Sequence, residues 1–83
     1  MPYIKQELRK PFDVALKDFP YINSKGDLEY VVFKLMKLYM VDKEVRYSTL
    51  HDCVYAIQHC ADEFRRRYLD KREDEAREKN GDL

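Results

Sequence analysis

The stretch DLEYVVFKLMKLYM, residues 27–40, decides the fold. With about 100° of rotation per residue counted from Leu28, the side chains of Leu28, Val31, Val32, Leu35, Leu38 and Tyr39 fall within one arc of about 120°. That periodicity predicts a helix over 27–40, with Asp27 as its N-cap and this arc as its core face. Phe33, Met36 and Met40 form a second apolar stripe, spaced i, i+3, i+7, on the roughly opposite side. Only Glu29, Lys34 and Lys37 carry charge after the first residue of the stretch. A helix that is apolar on two sides has to be covered on two sides.

Working toward the N-terminus, Phe12, Ala15, Leu16 and Phe19 share one helical face and predict a short helix over 11–19. Pro11 suits a first helical position, and Pro20 stops the helix after Phe19. Ile4 and Leu8 extend the stripe backwards, so a short helical turn joined by a kink is expected before Pro11. Residues 21–26 are the loop before the deciding stretch. Toward the C-terminus, residues 41–47 make a short connection, so the flanking helices are expected to be antiparallel neighbours. Thr49 and Asp52 have the spacing of a capping box. Leu50, Cys53, Val54, Ile57, Cys60, Ala61, Phe64 and Tyr68 then share one arc, which predicts a helix with its core face there. Beyond Leu69, charged residues take the wheel positions that apolar ones held. Glu73–Arg77 and Glu75–Lys79 pair at i, i+4. The helix is expected to project past the core and fray before Asn80-Gly81, a natural C-terminal stop.

The expected architecture is all-α: a small three-helix bundle or helical hairpin, with a short N-terminal helix and a long projecting C-terminal one. Residues 1–70 form the core domain and residues 71–83 a charged extension. Eighty-three residues suffice for one domain of modest core. Charged residues make up 39% of the chain, and two glycines with three prolines are too few turn residues for a sandwich or barrel.

Composition also narrows function. Lys plus Arg equals Asp plus Glu at 16 each, so there is no global basic excess of the kind nucleic-acid binders carry. No run approaches the ~18 apolar residues of a membrane span. MPYIKQELRK has no apolar core of a secretory signal, which leads to an expectation of the host-cell cytosol. Cys53 and Cys60 lie seven residues apart on one predicted helix. Their Cα atoms are then ~10 Å apart, beyond the ~7 Å limit of a disulfide, so both read as small core residues.

His51, Cys53, His59 and Cys60 hold metal-binding atoms, but helical geometry disperses them, and only His59 and Glu63 have chelating spacing. Neither histidine shares a face with either cysteine, which argues against a thiol nucleophile. Gly26 and Gly81 are the only glycines, so no phosphate-binding loop exists. No catalytic residue, cofactor or metal is expected. Arg65, Arg66, Arg67, Lys71 and Arg72 form a local basic cluster near Tyr55 and Tyr68, which could stack on bases. Three consecutive helical residues point in different directions, however, and acids at 62, 63, 70 and 73 lie among them.

Several segments resemble a family of small phage and prophage proteins of unassigned function. Met1-Pro2-Tyr3-Ile4-Lys5, Arg9 and Phe12-Asp13 look like its opening. Gly26-Asp27-Leu28-Glu29-Tyr30, Leu35 and Tyr39 are similar to its middle block. Tyr47, Thr49, Ala56, Glu63-Phe64 and Arg66-Arg67 resemble its third, and Glu73-Asp74 with Asn80-Gly81-Asp82 its ending. The resemblance implies a phage or prophage origin and carries over no activity. The chain departs from the family's pattern where Pro11 replaces a polar helix-former, which puts an uninterrupted first helix in doubt. The pattern does not demand His51, His59 or either cysteine.

The residues together lead to the expectation of an interaction protein rather than an enzyme. Its interface is Tyr30, Phe33, Met36 and Met40 on the second helix, where aromatic and Met side chains suit an interface centre. The expected partner is a second copy, giving a dimer, or a host or viral protein, with no membrane involved. The alternative is a nucleic-acid-associated accessory protein using Arg65, Arg66, Arg67, Lys71 and Arg72.

Overall fold

The computed structural model describes residues 3–83; Met1 and Pro2, which open the resemblance above, lie outside the described residues. A 3-10 turn at Gln6–Leu8 is followed by α1 (Lys10–Lys17), α2 (Lys25–Met40) and α3 (Tyr47–Phe64). A π-helical segment, Arg65–Leu69, then leads into α4 (Asp70–Asn80). No strand occurs among the described residues, and α3, the π segment and α4 follow one another without a break. The chain is therefore all-α, with three helical runs. It divides into two compact units, Tyr3–Cys53 and Val54–Leu83.

In the first unit, the 3-10 turn supplies the expected short helical turn ahead of Pro11. The Arg9 guanidinium Nε donates to the Ile4 carbonyl at 2.9 Å, and the Asp13 N–H donates to the Arg9 carbonyl at 2.9 Å. Pro11 sits in the first turn of α1, where a missing N–H leaves no bond unmade. α1 stops at Lys17, two residues before the expected Phe19, as the Phe19 N–H closes a tight turn on the Leu16 carbonyl at 3.2 Å.

α2 begins earlier than the deciding stretch suggested. Ser24, and not Asp27, is its N-cap. The Ser24 hydroxyl accepts the Asp27 N–H at 3.0 Å, while an Asp27 carboxylate oxygen accepts the N–H groups of Ser24 at 3.2 Å and Asn23 at 3.1 Å. This is a reciprocal capping box with Asp in the third helical position. At the far end, the Lys43 ammonium donates to the Tyr39 carbonyl at 2.8 Å and lies 3.9 Å from the centre of the Tyr39 ring. A cation thereby satisfies one of the last carbonyls, where the helix dipole favours positive charge.

α3 also starts ahead of expectation, at Tyr47. Thr49 is not its cap. The Thr49 hydroxyl accepts the Arg46 N–H at 3.1 Å and donates to the Glu44 carbonyl at 2.6 Å, so it works backwards from inside the first turn. The reason is common to both helices: a short polar side chain can serve the preceding N–H groups as well as the following ones, and spacing alone does not choose.

Burial is concentrated at one point. Among the described residues only Cys53 is buried, at 6% exposure. Its thiol lies 3.7 Å from the Met36 carbonyl oxygen, so α2 and the opening turns of α3 meet there. Met36, Met40 and Val32 are half-buried along the same side of α2. The arc expected to be the core face of α2 is instead largely open: Leu28, Leu35, Leu38 and Tyr39 are all exposed. Phe33 of the second stripe is exposed too, so the packed side of α2 combines Met36 and Met40 with Val32 from the edge of the expected core arc.

In the second unit, the expected core face of α3 is likewise uncovered. Val54 and Phe64 are exposed, and Cys60, read as a core residue, is exposed and free. The Asp70 N–H closes on the Arg65 carbonyl, the wider i to i+5 ring of a π turn. Such a turn takes up one extra residue, so both Tyr68 and Leu69 come to flank the line of Phe64. The Phe64 and Tyr68 rings touch at 4.7 Å between centroids. The helix ends at Gly81, whose φ of 88° only glycine adopts without strain.

Candidate protein-binding surface

The four residues expected to form an interface are not equivalent. Tyr30 and Phe33 stand out from α2 at 63% and 61% exposure. Met36 and Met40 are half-buried on the side where α2 meets Cys53. The Lys34 ammonium lies 5.5 Å from the centre of the Tyr30 ring, close enough for a cation–π contact that steadies the ring without covering it.

Tyr30 also walls a cleft. The turn residues Phe19, Pro20, Tyr21 and Ile22 face Asp27, Tyr30 and Val31 across a space of about 380 Å³. Its lining is aromatic and aliphatic except for the Asp27 carboxylate. The N–H groups of Ser24 and Asn23 donate to that carboxylate and, with the Ser24 side chain, keep its pKa below the ordinary 3.8, the Ser24 N–H being the largest cause. A cleft of this size beside two exposed aromatic rings can receive a large apolar side chain. Leu28, Leu35 and Leu38 add further uncovered apolar surface to α2. The sequence pattern had assigned these leucines to the core, and periodicity carries no sign to show which of two stripes is packed.

The basic cluster is differently placed. Glu63 binds two of its members at once: its Oε1 accepts from Arg66 at 2.5 Å and from Arg67 at 2.7 Å. The side chain of Glu63 is only 16% exposed beneath them. Arg65, Arg66 and Arg67 belong to the π segment, and Lys71 and Arg72 to the first turn of α4, all of them exposed. In α4, Arg77 pairs with Asp74 at 3.2 Å, a different partner from the Glu73 suggested by spacing. The histidines have ring neighbours: His51 lies 4.1 Å from Tyr47 and His59 6.4 Å from Tyr55. No three His, Cys, Asp or Glu residues among those described gather as a metal ion would require. No helix among the described residues is long and apolar enough to cross a membrane.

Compared with known proteins, residues 1–83 match the family described as Domain of unknown function (DUF6899). No curated protein matches, and no solved structure does.

Proposed function

We propose, from the premise that the chain belongs to this family of domains of unknown function, that it is a protein–protein interaction module. It acts by self-association or by binding a host or viral protein through α2. The observation that carries this reading is the pair of rings at Tyr30 and Phe33, more than 60% exposed on a well-capped helix beside an apolar cleft. Large aromatic side chains exposed in this way lose much apolar area to water, and a partner that covers them recovers it. Met36 and Met40 act as the inner edge of the same surface, where flexible thioethers adapt to what docks.

A phage or prophage setting belongs to the same reading and rests on the resemblance of the opening, middle and closing segments; action in the host cytosol is proposed with it. The nucleic-acid alternative is weakened by Glu63, which already holds two of the five basic residues.

The test compares wild type with Phe33→Asp. Sedimentation velocity across a range of concentrations reads self-association, and capture of partners from the producing cell reads heterologous binding. The variant should keep its helical circular dichroism, because Phe33 is exposed, and lose at least tenfold in at least one of these two associations. A folded variant that keeps every association of wild type sinks the proposal. A gel shift against DNA and RNA at low salt, steeply weakened by added salt, would return the function to the Arg65–Arg72 cluster.

A further inference from the structure

The Val54–Leu83 unit carries an uncovered apolar face of its own, and its pattern is self-complementary. Val54, Ile57, Ala61 and Phe64 are spaced 3, 4 and 3 residues apart, so the stripe reads the same from either end. Val54 and Phe64 are exposed, Phe64 at 65%; Ala61 is exposed and Ile57 half-buried. We infer that this face is the seam of an antiparallel pair with a second copy of the chain, the two-fold axis passing at the level of His59.

The direction follows from side-chain volumes. Antiparallel pairing about that level sets Val54 against Phe64 of the other copy, and Ile57 against Ala61. Large thus meets small along the seam, as knobs-into-holes packing requires. Parallel pairing would set Phe64 against Phe64 and Ala61 against Ala61, crowding one layer and emptying the next. A two-fold pair also uses one patch twice, which is the closed arrangement most small homodimers adopt.

Charge argues the same way. In a parallel pair, Arg65, Arg66 and Arg67 of both copies would lie side by side. In the antiparallel pair each Arg66 is carried 14 residues past its copy along the axis, about 21 Å, well beyond the ~10 Å range over which exposed charges act at 0.1 M salt. His59 points outward, opposite the seam, where its ring lies against Tyr55. The residues flanking the axis are Gln58 and Cys60, neither of which carries a repelling charge.

The exposed parts of Val54, Ile57, Cys60, Ala61, Phe64, Tyr68 and Leu69 amount to roughly 500 Å² per chain, so a pair that covers all of them buries at most about 1,000 Å², the size of a weak, concentration-dependent dimer.

The geometry places Cys60 within one residue of the axis and facing its own copy. A short bis-maleimide reagent should therefore join two full-length wild-type chains through Cys60, and Cys60→Ser should abolish the product. Arg67→Cys in the Cys60→Ser background should give no product, because antiparallel pairing separates that position from its copy by about 24 Å. Phe64→Asp, at an exposed position, should keep helical circular dichroism and weaken dimerisation in sedimentation equilibrium by at least tenfold. Phe33→Asp should leave the Cys60 product unchanged, so loss of the α2 surface and loss of this seam are read separately. A chain that stays monomeric at every concentration overturns the inference. So does a Cys60 that fails to cross-link, or an Arg67→Cys product equal to that of Cys60. If Phe64→Asp fails to fold, the two cross-linking results decide the question alone.

Discussion

Whether α2 starts at Ser24 or at Asp27 can be decided by removing one oxygen. Ser24→Ala deletes the hydroxyl that accepts the Asp27 N–H at 3.0 Å and leaves the rest of the turn intact. Loss of an N-cap acceptor costs about 0.5–2 kcal/mol, and this site is open to water, which places it near the middle of that range, at about 1 kcal/mol. For a domain of this size that corresponds to a fall in melting temperature of about 4–8 °C, measured by circular dichroism at 222 nm and one fixed protein concentration. Asp27→Ala should also destabilise, because it removes the acceptor of the Ser24 and Asn23 N–H groups. The two effects should not add, since each residue serves the other. The pH dependence has a definite sign. The folded state holds the Asp27 carboxyl below its ordinary 3.8. Its contribution is therefore complete above that value and disappears as pH falls through the depressed one. The penalty of Asp27→Ala should shrink in acid over that window. If Asp27 were the N-cap, Ser24→Ala would change nothing and Asp27→Asn would be harmless, because Asn caps as well as Asp. That pair of results would refute the capping box.

Three further outcomes are expected. Gly26→Ala should raise stability by about 0.4–1 kcal/mol in urea unfolding, because an added Cβ meets only Ser24 Oγ at 3.7 Å and the unfolded chain loses freedom. Iodoacetamide at low micromolar protein should modify Cys60 many-fold faster than Cys53, read by peptide mass, because Cys53 is buried against the Met36 carbonyl. Glu63→Gln should destabilise by about 1 kcal/mol or more, because exposed Arg66 and Arg67 lose a carboxylate that is itself only 16% exposed; an unchanged melting temperature would show that the pair holds nothing.

The helices were legible because their cause is local. Apolar residues at 3.6-residue spacing, Pro11 and Pro20 at the bounds of the first helix, and Gly81 at the end of the last all act within a turn or two of themselves. Starts were read a few residues late, since Ser24 and Thr49 reach toward groups that spacing does not single out. The π segment was not legible at all: RRRYL has no feature that separates it from an α-helical turn, and the extra residue shows only in the Asp70–Arg65 closure. Of the candidate surface, Tyr30 and Phe33 were identified from the sequence as apolar residues off the main stripe. Leu28, Leu35 and Leu38 were not, because a stripe regular enough to be a core is also regular enough to be an uncovered face.

Why α3 meets α2 on the methionine side follows from the size of one residue. Cys53 is small, and its sulfur comes within 3.7 Å of a backbone oxygen, that of Met36. A leucine at position 53 would hold the two backbones further apart. Close approach needs a yielding neighbour on the other helix as well, and Met36 and Met40 are unbranched side chains that bend around what meets them. The leucine stripe of α2 is stiffer and wider and demands a broad partner surface, which Cys53 does not provide. The contact within the chain therefore uses the narrow, adaptable side of α2. The broad leucine side stays open, and so do Tyr30 and Phe33 on the roughly opposite side, which leaves their rings for a partner to cover.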